Sequence, residues 1–439
     1  MDIENCIQSQ PVENSIIKVI GVGGAGGNAV RNMIDMDIKG VTYVICNTDL
    51  QALNNNPVPL KIQLGRQLTE GLGAGNDPDV GRRSAIEATD EIKDMLKGTK
   101  MVFITAGMGG GTGTGAAPVI AQIAKEEMGI LTVGIVAIPY KNEGQPRIVQ
   151  AIKGIEEMIK HVDSLLVINS ERLREMYGKQ TMRQALRNAD KILAIAAKGI
   201  AEMISIHGTI NVDFADVRTA MKDSGMAVMG MATAKGENRA IDAVKAALDS
   251  PILNNNDIRG AKHVLVNIFS SGEEQFELTQ DEQGIITTYL SELIGMAEHE
   301  TLIWGCGIDD NLREELRVTV VATGFANDCF TDNHQQKTKE PEKYEVNTNG
   351  YITKVSETEN VPDDEMISQP IDITYSDSEK IKIEKLYNQP VAQKNNTTHY
   401  STKNLADPMP VPLQDLLNEE IIQRIEDEPA YMRRSGHKE

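Results

Sequence analysis

Glycine dominates the run Gly107-Met108-Gly109-Gly110-Gly111-Thr112-Gly113-Thr114-Gly115. It follows the apolar stretch Met101 to Thr105 and precedes Ala116-Ala117-Pro118-Val119-Ile120-Ala121, where a helical pattern starts. A turn so poor in side chains costs backbone entropy on folding. Its chemical use is to bring successive N–H groups close to a polyanion, with a helix dipole behind them that favours negative charge. We read it as a phosphate cradle, with a plain glycine hinge as the bland alternative. No Gly-Lys-Ser or Gly-Lys-Thr follows, so it is not a P-loop.

A second glycine-rich loop, Gly21-Val22-Gly23-Gly24-Ala25-Gly26-Gly27-Asn28, comes directly after the strand-like Ile16 to Ile20 and satisfies G-x-G-x-x-G. Asp49 ends the next apolar run, Val41 to Cys46, where a ribose-binding acid would stand in a dinucleotide fold. A nicotinamide dehydrogenase is therefore a competing enzyme class. Against it, one dinucleotide fold normally needs one phosphate fingerprint, and two converging loops suit a triphosphate better. Gly71-Leu72-Gly73-Ala74-Gly75-Asn76-Asp77-Pro78 is a third such loop, open to two readings: Asp77 caps a helix, or the loop meets a γ-phosphate. Glu143 and Arg147 follow the run ending at Pro139, where they supply a ribose acceptor and a phosphate-binding guanidinium or form a surface helix-start pair. Asp190 stands among apolar neighbours on a helical pattern, where Asp is unfavourable by propensity. A carboxylate there can accept from both N1–H and the N2 amino group of guanine, and adenine offers no such pair. Solvent exposure is the other reading.

Periodicity names the elements that must position these groups. Residues 15–206 alternate strand-length apolar runs, clearest at Met101 to Thr105, Leu131 to Ile138 and Ser164 to Ile168, with helical patterns at Val119 to Glu127 and Ile148 to His161. The expected class is α/β, Rossmann-type, with a mainly parallel sheet, right-handed crossovers and a ligand site at the strand C-terminal ends. A long helix over Thr181 to Ile206 follows. Residues 207–326 read as a smaller α+β unit with strands at Ala261 to Phe269 and Leu316 to Thr323 and a supporting role. There Met221, Met226, Met229 and Met231 suit core packing or an adaptable patch. Residues 1–14 read as a flexible start. Residues 327–410, rich in Asn, Gln, Lys, Glu, Thr and Ser, read as a disordered linker whose r.m.s. reach as a coil would be roughly 50 Å. Residues 411–439 offer amphipathic spacing and an aromatic-plus-basic tip suited to docking on a partner.

A net charge of −20 disfavours non-specific nucleic-acid binding. The scattered Cys6, Cys46, Cys306 and Cys329 indicate neither a zinc site nor a disulfide framework, and fit a reducing cytosol. With no signal peptide and no run of 18 apolar residues, the expectation is a cytoplasmic chain with no direct membrane insertion.

Several motifs together resemble the bacterial FtsZ family, the tubulin-like cell-division GTPases: GVGGAGGNAV (Gly21 to Val30), NTD (Asn47 to Asp49), GAGNDPDVG (Gly73 to Gly81), GMGGGTGTGAAP (Gly107 to Pro118), NVDFADV (Asn211 to Val217) and EPAYMRR (Glu428 to Arg434). The likeness covers Ile16 to Phe325 and the terminal peptide. It implies a tubulin-like fold with the long helix central between the domains. It places Gly24, Ala25, Gly26, Gly27 and Asn28, with Gly109, Gly110, Gly111, Thr112 and Gly113, at the phosphates. Gly75, Asn76 and Asn169 belong to the same expected nucleotide contacts, with Glu143 and Arg147 at the ribose and phosphate edge and Asp190 on guanine. The ligands implied are GTP and GDP, with Mg²⁺. One departure is Leu186, where many family members stack a Phe on the base, so base affinity is expected to be somewhat lower.

None of the glycine loops contains a group suited to orient water on a γ-phosphate. Asn211, Asp213 and Asp216 form a polar cluster that by residue type alone reads as helix capping. The resemblance assigns it to a loop that enters the nucleotide pocket of the next subunit, with Asp213 and Asp216 polarising water and Asn211 positioning it. Self-association into filaments of a midcell division ring is then implied, as are membrane-tethering and regulatory partners such as FtsA on the terminal peptide. A tubulin-like filament that binds GTP without turnover is the non-enzymatic alternative.

Overall fold

Strand β1, Ile17–Val22, is buried at every residue, as a central parallel strand covered on both faces must be. The computed structural model describes residues 15–36, 38, 40–171, 181–205, 210, 212–250, 258–294 and 301–325, with 344–346, 352–354 and 382 beyond them. The chain divides into compact units Met1–Gln389 and Pro390–Glu439, and every described residue belongs to the first. The expected terminal peptide, most of the linker, Cys6, Cys329 and Asn211 lie outside the described residues.

Around β1 stand β2 (Val41–Asn47), β3 (Leu60–Gln63), β4 (Met101–Gly107), β5 (Leu131–Ile138) and β6 (Ser164–Asn169), all parallel and in the order β3-β2-β1-β4-β5-β6. The sheet continues through β7 (Gly225–Ala234), β10 (Leu316–Thr323), β8 (His263–Ser270) and β9 (Thr301–Ile308). The join is short and parallel, Ser164–Leu166 on Gly225–Ala227, and the β7–β10 and β10–β8 pairs are antiparallel. The two expected units thus share one sheet with two hydrophobic clusters, the first of which draws Met221, Met229, Leu265 and Val321 from the second unit. One core gathers Val30, Met33, Phe103, Ile135, Ile168 and Ile200, the other Ala243, Val264, Ile286 and Val318. Met221 and Met229 are fully buried in the first, the packing role expected of them.

The helices that bear on the site are α1 (Gly23–Asp35), α2 (Leu50–Asn54), α3 (Arg66–Thr69), α4 (Pro78–Glu87), α5 (Thr89–Leu96), α6 (Gly111–Gln122), α7 (Gln145–His161), α8 (Met182–Ser205) and α9 (Phe214–Met221). α10 (Arg239–Leu248) and α11 (Gln280–Ile294) pack on the second core. No described helix is long and apolar enough to cross a membrane. In the stretch expected as a disordered linker, Tyr344–Val346 pairs antiparallel with Ile352–Lys354, and Lys382 Nζ meets Glu156 Oε1 at 2.5 Å.

Both glycine loops are shorter than the sequence suggests. α1 begins at Gly23 and α6 at Gly111, so several glycines form first helical turns. Their missing side chains also serve backbone packing. A Cβ on Gly26 would strike the Thr105 carbonyl, one on Gly115 the Pro78 carbonyl, and one on Gly81 would lie 2.5 Å from the Gly111 carbonyl oxygen. Gly115→Ala should therefore destabilise the protein by about 1–3 kcal/mol through overpacking. Gly284→Ala, with open space at its Cβ on α11, should instead stabilise by roughly 0.5–1 kcal/mol. Thermal unfolding of both variants checks this, and equal shifts would refute the packing account.

Candidate nucleotide site

The order β3-β2-β1-β4-β5-β6 reverses direction between β1 and β4, where open α/β sheets bind ligands at their carboxyl ends. A cavity of about 420 Å³ lies there, walled by Val22 of β1, Gly107 of β4, Ala137 and Ile138 of β5 and Ser170 just after β6. α1 contributes Gly24, Ala25 and Asn28. α6 and its cap contribute Gly110, Gly111, Thr112 and Gly113. Both helices start without a side-chain cap, so their first N–H groups are available to an anion, with two helix dipoles behind them. The two N-termini nearly touch: a Cβ on Gly23 would lie 3.1 Å from the Gly113 nitrogen, and the Thr48 and Thr112 hydroxyls are 2.7 Å apart. At Gly24 and Gly110 a Cβ would meet nothing within 4 Å. Packing does not demand glycine at those two positions, which leaves their backbone open to the cavity.

The opposite wall carries the polar side chains. Glu143 Oε2 accepts from Arg147 Nη1 at 2.7 Å, and its Oε1 accepts from the Tyr140 N–H at 2.9 Å. Both groups face the cavity with Tyr140, Asp190 and Leu193. Asp190 stands on α8, where burial pushes its carboxyl up from an ordinary 3.8 to about 6. Burial, then the Glu143 and Asp190 charges, raise the Tyr140 phenol. Nothing in the local pattern around Tyr140 and Ser170 marked them for this wall. Their only signal was a place just after a parallel strand. The side chain of Leu186 lies outside the described residues.

The remaining expected contacts sit off the cavity wall. Gly26 packs on β4, and Gly27 lies beside the Asn56 carboxamide, whose Nδ2 donates to the Gly27 carbonyl at 3.0 Å. Gly109 adopts φ +97°, its Cβ position 2.9 Å from the Arg147 carbonyl. Gly75 and Asn76 take left-handed φ of 59° and 64° in the loop before α4. Gln150 Nε2 ties that loop to the cradle, donating to the Asn76 carbonyl at 3.2 Å and the Gly110 carbonyl at 3.0 Å. Asn169 is buried, and its Oδ1 accepts from the Glu171 N–H at 2.9 Å. Asp77 caps α4, accepting from the Asp79 N–H at 2.9 Å. Asp49 corrects the ribose reading: it caps α2, its Oδ1 taking the Ala52 N–H at 2.9 Å, and does not line the cavity. The acids that line this cavity are Glu143 and Asp190.

Asp213 and Asp216 also lie off the wall. Asp213 is exposed and caps α9, its Oδ1 accepting from the Asp216 N–H at 2.7 Å.

Residues 16–178 match the model of the Tubulin/FtsZ family GTPase domain, and residues 225–326 that of the FtsZ family C-terminal domain. The cell division protein FtsZ of Porphyromonas gingivalis is 42% identical over 423 residues, 95% of this chain and 85% of the relative. The chain belongs to the FtsZ family. The FtsZ of Pseudomonas putida is 47% identical over 314 residues, covering 71% and 77% of the two chains. An empty FtsZ dimer of M. jannaschii superposes with TM-score 0.65 at 40% identity over 70% of this chain and 88% of that one. The FtsZ GTPase domain includes every glycine of the cradle, so the chain is a GTPase that takes GTP and GDP, and the dehydrogenase reading is set aside.

For an FtsZ pocket of this electrostatics, pH matters. If Asp190 reads guanine, as the resemblance implies, only its carboxylate form can accept both donors, and apparent GTP affinity should follow its ionised fraction. Between pH 7 and pH 5 that affinity should fall about tenfold in titration calorimetry, and weak ATP binding should not. The unliganded protein behaves oppositely. A folded pKa raised above the unfolded value contributes stability below pH 3.8 that is lost as pH rises through about 6.

Proposed function

We propose that this chain hydrolyses GTP only when a second copy completes the site, so that turnover and head-to-tail polymerisation are one event. The observation that carries this is the chemistry of the cavity wall. Its acids are Glu143, already held by Arg147 and the Tyr140 N–H, and Asp190 on α8. Around the cradle the wall offers backbone, the Thr112 hydroxyl and the Asn28 carboxamide. Phosphoryl transfer to water needs a group that orients the nucleophile. Asp213 and Asp216 at the start of α9 are suited to it, entering the pocket of the neighbouring subunit with Asn211. A repeated head-to-tail contact does not close on itself, and filaments follow.

Mg²⁺ bound with the nucleotide would neutralise phosphate charge. It takes most of its ligands from phosphate and water, which fits a site where the described residues hold no cluster of three acids, histidines or cysteines. Thr112 and Asn28 are the neutral side-chain oxygens that would complete its shell. We place the filament in the cytoplasm at the midcell division site, with residues 411–439 engaging a membrane-tethering protein such as FtsA, on the basis of the EPAYMRR motif.

Phosphate release measured against protein concentration tests the reading. Specific activity should rise steeply through an assembly threshold, and constant turnover per subunit on dilution would refute it. Binding without turnover at any concentration would favour the inert filament. Deleting residues 425–439 should leave the rise intact and abolish co-sedimentation with the tether; loss of turnover would place that segment inside the folded enzyme.

A further inference from the structure

α6 begins in the phosphate cradle at Gly111 and runs into a π-helical turn, Ile123–Glu127, closed by the Met128 N–H on the Ile123 carbonyl at 3.1 Å. Such turns insert one residue into a helix and recur at functional positions. Lys125 is the central residue of this one. Its ammonium donates to the Val162 carbonyl at 2.8 Å and contacts Asp163 Oδ1 at 3.4 Å and Asp223 Oδ1 at 2.7 Å.

Asp163 is buried and saturated. Its Oδ2 takes the Thr132 N–H at 2.8 Å, its Oδ1 the Asp223 N–H at 3.3 Å, and its carbonyl the Gly225 N–H at 3.1 Å. Asp223 sits in the turn between α9 and β7 at φ +49°, a left-handed conformation a non-glycine residue holds only when its surroundings fix it. The Lys125 hydrogen bond also keeps the Asp223 carboxyl below its ordinary range.

We infer that Lys125, Asp163 and Asp223 form a positioning joint that sets the placement of α9, and with it Asp213 and Asp216, from the far end of the helix whose start cradles the subunit's own nucleotide. From Gly111 to Lys125 the helix spans about 20 Å, and α9 is only Phe214–Met221, so the Asp223 turn lies close behind the two acids. The inference rests on the shared-site reading above. These three residues are positioning residues: none lines the nucleotide cavity.

The test is complementation between full-length variants. Lys125→Met should bind GTP within about twofold of wild type, yet lose roughly tenfold to hundredfold in turnover, the scale of misplacing a catalytic group by about 1 Å. Mixed with Asp190→Ala, whose α9 is intact and whose pocket is weakened, it should regain turnover at GTP levels that fill only the Lys125→Met pocket. Mixed with Asp213→Ala, which lacks the same function, it should not. Asp223→Asn, isosteric and tolerant of left-handed φ, is the second variant should Lys125→Met melt early; its defect should be smaller and in the same direction. Unchanged turnover in both variants, or no recovery with Asp190→Ala, overturns the joint. If wild-type turnover per subunit is flat on dilution, the shared site itself falls, which separates the two failures.

Discussion

Asp213→Ala and Asp216→Ala subunits are expected to bind GTP as wild type does and to hydrolyse it roughly 10²–10⁴-fold more slowly, the scale of losing a proton-handling group. They should also suppress turnover when mixed with wild type, because each mutant leaves a neighbour's nucleotide unattended. The competing account is structural. Asp213 caps α9 through the Asp216 N–H at 2.7 Å, and loss of a cap costs about 0.5–2 kcal/mol. A capping defect lowers the melting temperature and acts only within its own chain, so dilution by wild type restores activity in proportion. Asp213→Asn separates the two, since it keeps the cap and removes the charge. Normal hydrolysis in Asp213→Asn, or strictly proportional activity in mixtures, would eliminate the shared carboxylates.

Asp190→Ala should lose roughly tenfold to hundredfold in preference for GTP over ATP, the loss of about 1.5–3 kcal/mol when hydrogen bonds to a charged acceptor disappear. The stability of the unliganded protein should move the other way near neutral pH. Burial makes the charged Asp190 unfavourable in the folded chain, so removing it relieves a cost. Competition binding together with thermal unfolding reads both effects. A variant that lost discrimination and stability together would point to a packing role for Asp190 instead.

How much of this was legible in the sequence depended on how locally each feature is determined. β5 (Leu131–Ile138) and β10 (Leu316–Thr323) match the predicted runs residue for residue; β5, a parallel strand buried on both faces, is almost continuously apolar. The long helix begins one residue after its predicted start and is helical through Ser205, the last described residue before Ile206. The helix read over Val119 to Glu127 instead begins at Gly111 and passes into the π turn. Glycine and threonine carry weak helix propensity, and packing against α4, α7 and β4 commits them to that helix. Asp49 misled for a related reason: twenty residues after a glycine motif, an acid can cap a helix as readily as hold a ribose, and only the fold shows which. Tyr140, Ser170 and Leu193 became visible as wall residues once β5, β6 and α8 were assembled, since no periodicity encodes a shared cavity. The pairing of β6 with β7 was likewise invisible, being a contact of three residues across a long separation.

The contact of α4 with α6 has one further consequence. Helices usually meet through interlocked side chains at axis separations of about 8–10 Å, and that layer can shift rotamers to absorb strain. At Gly115 against Pro78 and at Gly81 against Gly111 the backbones meet with no such layer between them. Whatever pushes on the loop before α4, where Gln150 holds the Asn76 carbonyl, is delivered undamped to α6. The pair is a stiff lever: a push at that loop would travel along it as displacement rather than dissipate as side-chain rearrangement.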